Sequence, residues 1–163
     1  MNPRLVPTDL SPSLSHNANP VTGWEPELSG LRASFHPPLI VHVDDDSALL
    51  DLVGIVISRR RPYRCVSCED GREALDVCLE CDPALLITDL ARPGLNGYEL
   101  IDRVRAEDRL VALPILVLSA VAPSETPFEL LTDRPIRLMR KPFLPRELLA
   151  VVDSMLGTFN LPP

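Results

Sequence analysis

Leu85-Leu86-Ile87-Thr88-Asp89 runs directly into Leu90-Ala91-Arg92-Pro93-Gly94-Leu95-Asn96-Gly97. A short apolar run closed by a Pro/Gly loop is the pattern of a strand buried on both faces of a parallel sheet. The run ends in a carboxylate, and in open α/β sheets ligands and chemistry gather at the carboxyl ends of the strands. Asp89 therefore stands where a reactive group is expected, and the other elements can be placed around it.

Working outward, Leu39-Ile40-Val41-His42-Val43 reads as a first strand that ends in Asp44-Asp45-Asp46. Residues 47–61 read as a helix with Asp46 or Ser47 as N-cap and an apolar face of Leu49, Leu50, Leu52, Val53, Val56 and Ile57. Pro62 ends it. Residues 63–68 form a second strand, Glu69-Asp70-Gly71 turns into a short helix through Leu79, and Asp82-Pro83 breaks that helix before the Asp89 strand. A third helix covers 98–108, with Leu100, Ile101 and Val104 inward, and a fourth strand covers 113–118, ending at Ser119-Ala120. A short fifth strand over 136–139 ends at Arg140-Lys141-Pro142-Phe143. Pro145 then opens a last helix at its first position, with Leu148, Leu149, Val152, Met155 and Leu156 toward the core. Strands alternating with helices imply a parallel sheet covered on both faces.

Composition limits the rest. The 163 residues, 45% hydrophobic and 24% charged, suit one globular domain with some surplus. A net charge of −7 argues against direct, non-specific binding of nucleic acid. No apolar run reaches the roughly 18–20 residues needed to span a bilayer, and the N-terminus lacks the apolar stretch of a secretory signal. The expected address is the cytoplasm, with no membrane partner. Of the 18 prolines, seven lie in the first 38 residues among Ser, Asn and Thr, so residues 1–37 read as a disordered arm. Trp24, the chain's one tryptophan, is its only candidate docking anchor. Residues 38–157 form the domain, and 158–163 a short tail.

Four strand ends carry polar residues that their apolar runs do not require: Asp44/Asp45, Asp89, Ser119 and Lys141. In a right-handed parallel sheet these ends share one edge. Converging carboxylates repel one another unless a cation is present, and a hard ion such as Mg²⁺, held by a few carboxylates, waters and a phosphate oxygen, resolves this. A lysine and a hydroxyl opposite them are donors suited to a phosphoryl group. The set fits phosphoryl transfer onto Asp89, giving an acyl phosphate.

These motifs resemble the receiver domain of two-component response regulators. The likeness runs from about residue 39 to 157. It is carried by Val43-Asp44-Asp45, by Asp89 through Gly94 with Gly97, by Leu118-Ser119-Ala120 and by Lys141-Pro142-Phe143. The spacings agree: 44 residues from Asp45 to Asp89, 30 on to Ser119 and 22 on to Lys141. The resemblance implies a flavodoxin-like (βα)₅ three-layer sandwich whose five-stranded parallel sheet has the order 2-1-3-4-5. It implies that Asp89 accepts a phosphoryl group from a histidine of a sensor kinase or phosphotransfer protein. Asp45 would bind Mg²⁺ directly, with Asp44 helping and the Ala91 backbone carbonyl completing the protein ligands beside Asp89. Ser119 and Lys141 would each hold a phosphoryl oxygen, and the Lys141-Pro142 bond would be cis. The expected protein is a stand-alone receiver, not an enzyme beyond its own phosphorylation and slow dephosphorylation. It would signal by changing which protein it binds, its oligomeric state being left open. The alternative is a receiver-like adaptor that acts without phosphorylation.

Three departures stand out. Leu138 occupies the switch position, three before Lys141, where relatives often carry Tyr or Phe whose rotation follows the Ser119-type hydroxyl. Between Pro123 and Pro135 only about two helical turns fit, which alters the usual output face. Ala91 and Val121, each two residues beyond Asp89 or Ser119, cannot position a hydrolytic water, so self-dephosphorylation is expected to be slow.

Cys65-x₂-Cys68 and Cys78-x₂-Cys81 have the outline of a four-thiolate zinc site. Residues three apart on a strand point to opposite faces, however, so Cys65 and Cys68 cannot share an ion. Cys78 and Cys81 share a helix face, and all four thiols are expected to act as small hydrophobes. His42, inside the first strand, is expected to be a core residue with one nitrogen satisfied.

Overall fold

The computed structural model describes residues 37–59, 63–120 and 135–157. The expected arm and tail, Trp24, Val121 and the short helix between Pro123 and Pro135 lie outside them. Five strands, β1 (Leu39–Val43), β2 (Arg64–Cys68), β3 (Leu85–Asp89), β4 (Ile115–Ser119) and β5 (Ile136–Arg140), form one sheet in the order β2-β1-β3-β4-β5. Every pairing is parallel, with Val43 opposite Thr88, Asp89 opposite Leu118 and Ser119 opposite Arg140. The described helices are α1 (Ser47–Ser58), α2 (Gly71–Cys81), α3 (Gly97–Ala106) and α4 (Pro145–Leu156).

Side-chain alternation along the strands divides the core in two. Val41, Val43, Leu86, Ile115 and Val117 pack under α2 and α3, against Ala74, Cys78, Leu100 and Val104. Ile40, Leu85, Ile87, Leu116 and Leu118 pack under α1 and α4, against Val53, Ile57, Leu148 and Val152. The result is the flavodoxin-like three-layer sandwich. Tyr63 ties the β2 edge to α4 by donating its hydroxyl to Asp153 Oδ1 at 2.7 Å.

Local chemistry fixes the helix ends. Asp46 caps α1 by accepting from the amides of Ala48 (3.0 Å) and Leu49 (3.3 Å). Asp70 caps α2 and Asn96 caps α3 in the same way. The Asn96 cap starts α3 one residue earlier than the sequence reading, and extended backbone at Glu107 stops it at Ala106. Helix α1 stops at Ser58, short of residue 61, whereas α2 continues to Cys81 and closes at Asp82 in a left-handed conformation, φ 49°. Leu52 does not join the α1 core face. It lies about 200° round the helix from Leu50, and is 43% exposed, as Ile55 is at 51%.

Cys65 and Cys68 lie in opposite halves of the core. Cys78 is buried with Cys68, while Cys81, at the helix end, is exposed and does not act as the buried small hydrophobe expected of it. All four are free thiols, and burial pushes Cys65 and Cys68 up to about 11 and Cys78 to about 12.

Candidate functional site

The parallel register brings the ends of β1, β3, β4 and β5 to one edge of the sheet. Asp44, just past β1, is buried, its side chain 1% exposed, while Asp89 at the end of β3 is 14% exposed. Lys141, just past β5, reaches between them. Its Nζ lies 2.6 Å from Asp89 Oδ2 and 2.8 Å from Asp44 Oδ2. Burial pulls the Lys141 pKa down, but the hydrogen bonds and charges of Asp44 and Asp89 outweigh that and hold it above the ordinary lysine value. The lysine is therefore a cation at neutral pH.

The two oxygens of Asp89 are oriented by different donors. Oδ2 accepts from Lys141, and Oδ1 accepts from the Ala91 amide at 3.1 Å. Asp44 is fixed similarly, its Oδ1 accepting from the Asp46 amide at 2.9 Å. Ser119 is buried, and its carbonyl accepts from the Lys141 amide at 2.7 Å, tying the hydroxyl-bearing strand end to the lysine. The Lys141-Pro142 bond is cis. Asp45 and Ala91 are exposed at the same edge, and Leu138 is half-buried against the α2/α3 core. Gly97 makes the return of the loop possible: a Cβ there would run into the Asp89 carbonyl and the Leu90 backbone.

A magnesium ion fits this donor set. Asp44 and Asp89 come close enough to share one cation, and the Lys141 ammonium already bridges them. Among the described residues no three Asp, Glu, His or Cys side chains form a complete cage. An ion held there would draw on backbone, water and phosphate oxygens beside the carboxylates.

Two features escaped the sequence reading. His42 is wholly buried and neither ring nitrogen has a hydrogen-bond partner among the described residues, so the expectation of one satisfied nitrogen is wrong. Burial lowers its pKa to about 4; Asp44 works against that, and Lys141 and Arg92 work with it. The strand pattern put the ring in the core but held no partner for it. The second feature is Arg92, which is buried and hydrogen-bonds back to Thr88 and to the Asp89 carbonyl. In the sequence it is a lone arginine just before Pro93-Gly94, with no pattern around it that marks it as buried.

Comparison with known proteins decides the family. Residues 40–153 match the family model described as the response regulator receiver domain. This chain belongs to that family. The receiver is 28% identical over 117 residues to the phosphate regulon transcriptional regulatory protein PhoB of Pseudomonas aeruginosa, covering 72% of this chain and 51% of that protein. It is 29% identical over 138 residues to the sensor histidine kinase TmoS of Ectopseudomonas mendocina, covering 85% of this chain and 14% of the kinase. The chain thus spans about half or less of the length of these curated relatives. Among solved structures it is similar to the chemotaxis protein CheY4 of Vibrio cholerae, with TM-score 0.68 and 26% identity over 73% of this chain and 98% of that one. The receiver is a signalling module of two-component systems, whose members pair with histidine kinases and typically use Mg²⁺. No helix among the described residues is long and apolar enough to cross a membrane.

Proposed function

We propose that residues 38–157 act as a Mg²⁺-dependent phosphoacceptor, with Asp89 as the residue that receives the phosphoryl group. The observation that carries this reading is the single ammonium of Lys141 held by both Asp44 and Asp89, at 2.8 and 2.6 Å. It marks a pocket built for negative charge that needs a cation.

Asp89 Oδ attacks the phosphorus of a phosphohistidine on a sensor kinase or phosphotransfer protein. The new bond is O–P, the P–N bond breaks, and its electron pair leaves with the imidazole, which then takes a proton. Asp44, Asp45, Asp89 and the Ala91 carbonyl would hold Mg²⁺, which supplies charge neutralisation for the transferring phosphoryl oxygens. Lys141 pairs with one phosphoryl oxygen and the Ser119 hydroxyl donates to another. Leu138 replaces an aromatic switch by packing alone. The proposed output is a changed affinity for a downstream protein, and the proposed compartment is the cytoplasm.

The test is incubation of the full chain with a small acyl-phosphate donor and Mg²⁺, followed by intact-mass measurement. Wild type gains one phosphoryl group; without Mg²⁺, or in Asp89→Asn, it gains none. A wild-type chain that stays unmodified, or an Asp89→Asn chain modified as fully as wild type, overturns the proposal.

A further inference from the structure

Arg92 is only 8% exposed, although it lies in a loop that contains Pro93 and Gly94. Its Nε donates to the Leu95 carbonyl at 3.0 Å, and its Nη1 donates to the Thr88 hydroxyl at 2.7 Å and to the Asp89 carbonyl at 3.0 Å. The Thr88 hydroxyl, fully buried, in turn donates to the Asp89 carbonyl at 2.9 Å. One planar guanidinium therefore joins both ends of the loop that leaves the acceptor.

The third nitrogen, Nη2, is buried with no hydrogen-bond partner among the described residues. It lies against Gly71 at the start of α2, where a Cβ would stand 2.9 Å from it. A side chain at that position would displace the arginine. Burial lowers the Arg92 pKa, while the charges of Asp89, Asp44, Asp70 and Asp45 all act to raise it.

We propose that Arg92 is a positioning residue for phosphoryl transfer. Its fork fixes the backbone from 88 to 95 so that the Ala91 amide orients Asp89 Oδ1 and the Ala91 carbonyl faces the metal position. This rests on the reading of Asp89 as phosphoacceptor. The arginine touches neither phosphorus nor metal and acts through the loop. A lysine would keep the charge, but its point-like ammonium cannot span the two carbonyls and the hydroxyl in a fixed geometry.

The experiment compares wild type with R92M, R92K and T88V as full chains, each checked for folding by thermal unfolding. Three quantities are read: amide hydrogen exchange over residues 90–97, Mg²⁺ affinity by calorimetry, and phosphoryl uptake against concentration of a small acyl-phosphate donor. In R92M the loop amides exchange faster, and Mg²⁺ affinity and maximal uptake rate each fall about 10-fold, as for loss of a group that supports a metal ligand. The donor concentration giving half-maximal rate is unchanged, since Arg92 does not meet the donor. R92K follows R92M. Wild-type affinity and rate in folded R92M, or their full recovery in R92K, overturns the proposal, the latter because charge alone would then suffice. If R92M does not fold, T88V decides, with a loss of about 3-fold expected for one removed hydrogen-bonding hydroxyl and no change counting against the proposal. If wild type takes up no phosphoryl group, the phosphoacceptor reading fails separately. Arg92 is then judged on loop exchange alone, where unchanged exchange in R92M overturns its role.

Discussion

Lys141 Nζ and Asp89 Oδ2 are 2.6 Å apart, and the same ammonium is 2.8 Å from Asp44 Oδ2. The lysine thus offsets part of the charge of the two carboxylates that a divalent ion would bridge. Removing it leaves Asp44, almost fully buried, without its cation. In Mg²⁺-free buffer Lys141→Met should lose about 1–3 kcal/mol of stability, less than for a fully buried pair because the lysine side chain is 21% exposed. Added Mg²⁺ should raise the unfolding temperature of the variant more than that of wild type, since no ammonium competes for the carboxylates. Equal Mg²⁺ shifts in the two proteins would count against a shared cation site.

His42 makes a separate contribution at acid pH. Its pKa is lowered from 6.5 to about 4 because burial disfavours the imidazolium. Between those values the unfolded chain binds a proton that the folded chain does not, so stability falls with falling pH. The contribution is fully present above about pH 6.5 and is lost by about pH 4, amounting to about 3 kcal/mol. Denaturant unfolding from pH 7.5 to 4 should therefore show a shallower acid decline for His42→Leu than for wild type. Because that variant also removes two unpartnered buried nitrogens, it should be no less stable than wild type at the acid end. Parallel declines would show that the ring is not buried neutral.

Ala91 is exposed beside Asp89 and offers its backbone but no polar side chain. With no group there to orient or deprotonate water, the acyl phosphate should last many minutes or longer. Ala91→Glu, which brings a carboxylate to the pocket mouth, should shorten that lifetime about 10-fold or more. The check is the decay of phosphorylated protein after donor removal. A wild-type lifetime of seconds would contradict the account.

The parts of this site that were legible in the sequence are those where a side chain breaks an otherwise uniform pattern. Asp44, Asp89 and Ser119 each close an apolar run, Lys141 follows the short fifth strand, and parallel order sends all four to one edge. The two-sided core was legible in the alternation of strands with helices, whereas the sheet order came from the resemblance to receiver domains and not from any period in the strands. Arg92 and Thr88 were not, because their importance lies in a loop folding back on its strand, and spacing carries no sign of that. The missing partners of His42 were equally hidden, since alternation tells which face a ring meets but not which atoms wait there. Helix ends moved by one to a few residues where a cap such as Asn96, or extended backbone such as Glu107, overrode the apolar period. Leu52 was assigned to the core by hydrophobicity, whereas its angle around α1 sends it outward.

The most direct measurement identifies the modified atom's residue. After phosphorylation with Mg²⁺ and a small acyl-phosphate donor, borohydride reduces an aspartyl phosphate to homoserine, and peptide mass mapping locates the change. The account expects homoserine at position 89, and at no other aspartate in the chain. Homoserine at Asp44, Asp45 or another aspartate, with Asp89 intact in a folded and phosphorylated protein, would contradict it.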